Sequence, residues 1–382
     1  MELLTSNVVA TKVTTGPRLV PVVTEMTSPV PRDVWQAVLR SDPGATALQT
    51  PAYYQAVLAA TGGRDDSRLY SMEDGRRLVL PLVGQRAVPG VRLNAAFPGG
   101  YGHGGMLATG GLLARDVRMV VEDLRGQALS TRIGGAHHTA VQWSAGRMPG
   151  VVEVPRRVEV LDLSPGFDEL RASQFARSVR QRLRKAERDG VEVELDTTGR
   201  LVPVFHQIYR AWVDRWAPTS GLPPMVARRL AMRQEPLKKF ETVAALLGPA
   251  CRVLVAWHRG QPVAAAISLV HGQHAIGWRS YSIKELAAPV AANILTQATC
   301  LADACRSGCR YFDLGQSGGV ASLQQYKHSF GATPRRVVDL QIEPPGLTRL
   351  RSAKERAQGA VVAAMGRHSS GDPAGLPDPR KG

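Results

Sequence analysis

The sequence predicts an α+β protein of two successive units, each a mixed, mostly antiparallel sheet flanked by helices. Three observations predict it. At low resolution, the order helix, helix, hairpin, strand, helix, strand, helix, strand runs twice along the chain. Asp74-Gly75, between "SRLYSMED" and "RRLVLPLVGQRA", is a strong hairpin dipeptide. "CRVLVAWHRGQPVAAAISLVHGQHAIGWRSYS" reads as three antiparallel strands turning at His258-Arg259-Gly260 and near Gly272. The halves share no visible identity, so the repeat is one of architecture.

Taken in order, residues 34–40 form an apolar-periodic helix, and "LQTPAYYQAVLAAT" a second, with Thr50 as N-cap and Pro51 at the first helical position. The Asp74-Gly75 hairpin follows, then the glycine-rich "FPGGYGHGGMLA", a helix near 115–129 and strands near 139–144 and 157–162. A long helix over 167–189 opens the second unit and leads into the strand "VEVELDT". Helices at 200–216 and 224–245 precede the three-strand run. A helix over 290–307, the strand "YFDLGQ", a short helix and the strand "RRVVDLQIE" complete it. The expected units are 20–165 and 166–345, followed by a basic helix and disordered tail over 346–382.

A chain of 382 residues, 44% hydrophobic and 21% charged, has the composition of a soluble globular protein. Its start lacks the basic-then-apolar pattern of a secretory signal, and no stretch has the roughly 18 apolar residues of a membrane span. A cytoplasmic location is expected. Cys300, Cys305 and Cys309 are spaced i, i+5, i+9, which is no usual zinc pattern, so free thiols and no metal are expected. The net charge of +16 points to an anionic partner. A preference for arginine over lysine does not produce an excess of 48 basic over 32 acidic residues.

"FDLGQSGGVASLQQYKHSFGA" poses the central question. Gly315-Gln316-Ser317-Gly318-Gly319 fits G-x-S-x-G, the strand–turn–helix pattern of a hydrolase nucleophile. Such a serine needs an acid and then a histidine on later loops. After Ser317 only His328, on the next helix, and His368, in the tail, remain. The triad cannot be assembled in that order. The glycines are better read as a turn needing positive φ, and attention passes to Lys327. Leu323, Tyr326 and Phe330 form the apolar stripe of the helix, with Lys327 beside it at the mouth of the turn.

Phe312-Asp313-Leu314-Gly315, followed by Tyr326-Lys327 and Phe330-Gly331, resembles the C-terminal signature of the Fem family. These are the aminoacyl-tRNA-dependent transferases that build peptidoglycan cross-bridges, a Fem-like branch of the GNAT superfamily. "LQTPAYYQAV", "FPGGYGHGGML" and "SVRQRLRKAERDGVEVE" resemble three further family segments, so the likeness runs over about 30–343. It implies two tandem GNAT-like domains with the active site in a cleft around the second, and the acceptor bound on the first. Lys327 then matches the family lysine that stabilises the oxyanion of the tetrahedral intermediate, with Tyr326 beside it as a second catalytic candidate. Asp313 of the motif and Tyr101 and His103 of the glycine loop become candidate substrate contacts. Arg215, in "YRAWVDRWAPTSGLP", is expected to hold an anionic acceptor, and Arg279 and Tyr281 to line the cleft. Strand alternation puts Trp278, Ser280 and Ser282 on one face of "GWRSYS" and Arg279 and Tyr281 on the other.

The acyl donor is either coenzyme A or a charged tRNA. GNAT enzymes hold the pyrophosphate of coenzyme A on a glycine-rich loop at a helix N-terminus. Here no glycine stands between Trp278 and Gly308, and Ala287, Ala288 and Pro289 occupy the turn. The expectation is therefore aminoacyl-tRNA as co-substrate, an amine-bearing acceptor and no cofactor, with an acyl-CoA N-acyltransferase as the alternative. A third reading is an RNA-binding protein on a degenerate GNAT scaffold. In "RASQFARSVRQRLRKAERDG", Phe175, Val179, Leu183 and Ala186 form the apolar stripe of the helix. Arg177, Arg180, Arg184, Lys185 and Arg188 then form a basic comb for tRNA, joined by Arg335 and Arg336. Further basic residues, Arg349, Arg351, Lys354 and Arg356, follow. The amino acid, the acceptor (cell-wall precursor or antibiotic-like amine) and the general base are not specified by the sequence.

Overall fold

Thr50 and Pro51 open a helix for the physical reasons the sequence supplies. The Thr50 hydroxyl accepts from the Tyr53 N–H at 3.2 Å, and Pro51 starts Pro51–Thr61 where its missing N–H costs nothing. The helix ends at Gly62, whose φ of +62° closes the C-cap. The computed structural model describes residues 23–347, apart from 89, 90, 103, 319 and 345. His103 and the basic run from Arg349 to Arg356 lie outside the described residues.

The strands are β1 Val23–Thr27, β2 Arg64–Asp65, β3 Arg68–Met72, β4 Arg77–Leu80, β5 Val83–Val88 and β6 Val91–Ala95. They continue with β7 Leu107–Ala108, β8 Ser130–Gly134, β9 Val151–Asp162, β10 Glu192–Asp196 and β11 Cys251–His258. The last are β12 Gln261–His271, β13 His274–Ser282, β14 Tyr311–Gln316 and β15 Thr333–Ile342. Four form a small sheet, β1-β3-β4-β7, containing the Asp74-Gly75 hairpin with Gly75 at φ +78°. The others form one sheet ordered β10-β11-β12-β13-β14-β9-β15-β8-β6-β5-β2. In it only β13–β14 and β6–β8 are parallel, so the expected mixed, mostly antiparallel character is present.

One feature differs from the expectation of a separate sheet in each unit. The twelve-residue β9 pairs along one edge with β14 and along the other with β15, while β15 also pairs with β8. Strands from before and after residue 165 therefore interleave into a continuous sheet.

Other segments also depart from the sequence reading. Residues 139–144 are not a strand but the 3₁₀ turn His137–Thr139 running into the helix Ala140–Ser144. Trp143 anchors that helix in the core, and tertiary packing decides so short an apolar run. The predicted helix over 167–189 breaks at Phe175, whose N–H still bonds the Leu170 carbonyl through a π-turn. Arg180 closes the break by donating to the carbonyls of Ala172 (2.6 Å) and Phe175 (3.0 Å). The helix expected over 224–245 is two, Pro224–Gln234 and Leu237–Leu247, because Pro236 cannot continue it.

The largest core cluster joins Trp35, Tyr53, Tyr54 and Val57 to Phe205, Phe240 and Trp278 from beyond residue 165. Tyr53 meets Phe97 and Trp278 edge-on, with centroids at 5.5 and 6.1 Å. Emptying such an aromatic position costs about 3–5 kcal/mol. A second cluster packs Phe175 against Phe330 between the broken helix and β14. A third lies between β3–β4 and the helix Ala114–Leu124.

Candidate active site

The parallel strands β13 and β14 pair only over three residues, His274–Ile276 against Tyr311–Asp313. Beyond Asp313 they part, and a cleft of about 910 Å³ opens between them. Both strands are bulged at this point. In β13 the register slips around Trp278, between the pairs Ile267–Arg279 and Ser268–Gly277. In β14 the slip falls between Asp313 and Gln316, opposite Glu159 of β9. Bulges re-aim side chains and carbonyls, and here they decide what faces the cleft. The bulge at Trp278 breaks the expected alternation. Trp278 packs on Phe240 and Tyr281 on Phe205, so both turn toward the same core.

The turn after β14 is built around Asp313. Its Oδ1 accepts the Gly315 N–H at 2.7 Å, and Gly315 adopts φ +72°. The carbonyls of Gly315 and Gln316 are thereby presented to the helix Ala321–His328, and each accepts a hydrogen bond from Lys327 Nζ at 2.8 Å. An ammonium has three donors. Two are held, and the third has no protein acceptor among the described residues. Lys327 is buried and lines the cleft. Burial pulls its pKa down to about 8, against the opposing pull of Asp313 and Glu159. Burial pushes the Asp313 carboxyl up.

Tyr326 also reaches the cleft wall, but its hydroxyl donates to the Asn293 carbonyl at 3.3 Å, and burial raises its pKa. It joins two helices. Ser317 is buried and its Oγ has no partner among the described residues. His328 is bound instead to Glu159 at 2.9 Å, so no base addresses the serine.

Arg215 and Tyr281 line the same cleft, as does Arg279. The Arg279 guanidinium is largely committed to the protein. It reaches Glu235 Oε1 from Nε (3.1 Å) and Nη2 (2.6 Å), the Trp278 carbonyl at 2.6 Å, and the Gly100 carbonyl. Lys239, fully buried, completes this set by donating to the Gly100 carbonyl at 2.7 Å and pairing with Glu235 at 2.9 Å. Its Nζ stands 4.1 Å over the Tyr101 ring, so Tyr101 packs beneath the cation rather than lining the cleft. Burial lowers the Lys239 pKa to about 8. A second set also lines the cleft, where exposed Arg132 (2.7 Å) and buried Arg156 (2.7 Å) clasp buried Asp339. The cleft is thus lined by Arg132, Arg156, Arg215, Arg279 and Lys327 against two carboxylates, Asp313 and Asp339. That excess of cations suits an anionic occupant.

Of the basic comb, on the helix Arg177–Arg188, Arg177, Arg184 and Arg188 are exposed and form no ion pair among the described residues. Arg180 is spent on the helix break, and Lys185 pairs with Asp189 at 2.8 Å. Arg335 and Arg336 stand exposed on β15 opposite Val158 and Arg157. Sequence reasoning missed Glu235, Lys239, Arg132, Arg156 and Asp339. Glu235 and Lys239 do carry a signal, the i, i+4 spacing of an ordinary helix pair. The other three are brought together only by the β8–β15–β9 pairing.

Residues 173–328 match the family model described as an acetyltransferase (GNAT) domain. No curated protein matches the chain by sequence. Among solved structures, FemX is similar at a TM-score of 0.60 and 12% identity, over 82% of this chain and 96% of FemX. A conserved protein of unknown function from Bacteroides thetaiotaomicron VPI-5482 is similar at 0.51 and 12% identity, with coverages of 82% and 96%. Residues 173–328 thus carry the match to a GNAT domain, and the fold of the chain is similar to that of FemX. Among the described residues, no helix is long and apolar enough to cross a membrane.

Proposed function

We propose that this protein is an aminoacyl-tRNA-dependent aminoacyltransferase that forms an amide between the carried amino acid and an amine acceptor. The observation that carries this reading is the Lys327 ammonium, fixed by the Gly315 and Gln316 carbonyls at the cleft with one N–H left over. The acceptor amine attacks the ester carbonyl of the charged tRNA, and a C–N bond begins to form. The carbonyl oxygen takes up the negative charge, and the third N–H of Lys327 meets it. Collapse breaks the C–O bond to the ribose. The ribose oxygen leaves with the proton that the amine gives up, so neither ATP nor a covalent enzyme intermediate is needed. A preorganised cation in a poorly hydrated cleft stabilises such an oxyanion by a few kcal/mol.

Two features support tRNA as donor. The cleft has more cations than carboxylates, and Arg177, Arg184 and Arg188 present, on a single helix, guanidinium groups with no ion pair among the described residues. The acyl-CoA reading is favoured by one observation, the match to an acetyltransferase domain. Against it stands the helix Ala292–Arg306, which is entered through Ala287–Ala291 rather than through glycines, with Ala291 at φ +53°. The cell-wall precursor and the antibiotic-like amine remain the two acceptor classes consistent with this chemistry.

The test is incubation with total charged tRNA and a panel of amines, with and without ribonuclease. Amide product that disappears on ribonuclease treatment supports the proposal. Product formed equally well after ribonuclease, or only with acetyl-CoA, rules out the donor.

A further inference from the structure

A cluster of histidines takes no part in the chemistry above. His137 and His138 stand on the turn that follows β8, and His274 is the first residue of β13. One ring nitrogen from each lies within 4.8 Å of the others. His274 is 5% exposed, and the other two are half-buried. Both nitrogens of His137, and Nδ1 of His138, are buried with no hydrogen-bond partner among the described residues. Buried polar nitrogens are normally satisfied, so three in one place call for a partner.

We propose that His137, His138 and His274 bind a divalent transition-metal ion, Zn²⁺ being the best match. Three neutral imidazoles are a borderline donor set that suits zinc, nickel or copper and not magnesium or calcium. Zinc–nitrogen bonds of about 2.05 Å place tetrahedral ligand atoms about 3.3 Å apart. The present spacing, up to 4.8 Å, is wider than that, so binding requires the rings to turn toward the ion. The surroundings are those of a held ligand set. Gly44 packs against the His138 ring. It lies so close on the Nε2 side that an added Cβ would stand 2.7 Å away, which leaves Nδ1 for the metal. Tyr311 stacks on His274 at 5.6 Å and 22°, fixing its plane.

The ion joins the turn after β8 to the start of β13, and so ties segments on either side of residue 165. His137 and His274 also line the main cleft. The proposal does not rest on the transferase reading, because metal content is measured with no acyl donor present.

The test uses untagged full-length protein, stripped with chelator and reloaded with Zn²⁺ or Co²⁺. Expected are one zinc per chain by elemental analysis, a visible tetrahedral ligand-field band with Co²⁺, and a higher melting temperature with zinc. His138→Asn and His274→Ala should each weaken binding at least about tenfold. No Co²⁺ band and no bound zinc in the wild-type protein would overturn the proposal, whatever the folding of the variants. So would zinc binding that survives both substitutions.

Discussion

Lys327 and Asp313 hold the same residue, Gly315, through the two peptide groups that flank its Cα. Lys327 Nζ donates to the Gly315 carbonyl at 2.8 Å, while Asp313 Oδ1 accepts the Gly315 N–H at 2.7 Å. The ammonium is thus positioned by backbone, and it forms no ion pair with a carboxylate among the described residues. Lys327→Met keeps the stem and removes the donor. Turnover should fall about 10²–10³-fold, with KM for charged tRNA nearly unchanged, as for loss of a group that acts only in the transition state. Steady-state kinetics on the folded variant check this.

The pH profile follows from the same group. Lys327 must be protonated to stabilise an oxyanion, and burial lowers its pKa to about 8. Activity should therefore be sustained below that value and lost as pH rises through it. The acidic limb, where the acceptor amine becomes protonated, belongs to the substrate and should shift with the amine used. A basic limb close to the ordinary lysine value of 10.5 would mean that Lys327 is not the titrating group.

Gly315 stands at φ +72°, where a side chain is strained although space is open around it. Gly315→Ala should cost about 1–2 kcal/mol in urea unfolding. Because its carbonyl positions Lys327, turnover should fall by more than the small loss of folded protein explains. Ser317→Ala, by contrast, should leave turnover unchanged, since no base reaches that hydroxyl. A dead Ser317→Ala enzyme would restore the serine as nucleophile.

Glu235 neutralises two cations, buried Lys239 at 2.9 Å and partly buried Arg279 at 2.6 Å. Glu235→Gln leaves both uncompensated, whereas Lys239→Met leaves Glu235 still paired with Arg279. Glu235→Gln should therefore destabilise more, by about 3–5 kcal/mol, and denaturant midpoints of the two variants give the order.

Arg177, Arg184 and Arg188 are the members of the basic comb that are exposed and have neither an ion pair nor a backbone hydrogen bond among the described residues. Replacing all three with glutamine should weaken tRNA binding and lower the salt slope of log K by about one for each lost phosphate contact. Replacing Arg180 should change the slope little and stability more, because its donors hold the break at Phe175.

The elements were legible in the sequence where local chemistry decides them. Thr50-Pro51 started a helix, Asp74-Gly75 made a hairpin, and the glycines around Gly315 made a turn before the lysine helix. The lysine itself was legible because the motif is contiguous. Where sequence reading failed, long-range pairing was responsible. β9 joins β14 to β15 across more than 150 residues, and nothing local shows that Arg156 will meet Asp339. The break at Phe175 was hidden for another reason: a π-turn keeps apolar residues in near-helical phase, so periodicity runs through it. The adjacent His137-His138 pair was visible, but its partner His274 stands over 130 residues away and reaches it only through the fold.

The most direct test of the central claim is single-turnover transfer from one purified aminoacyl-tRNA to its amine, comparing wild type with Lys327→Met at pH 7. The account predicts amide formation in the wild type, a chemical step slowed at least about 100-fold in the variant, and equal tRNA affinity in both. Equal transfer rates in the two proteins, or a variant whose only defect is lost RNA binding, would contradict it.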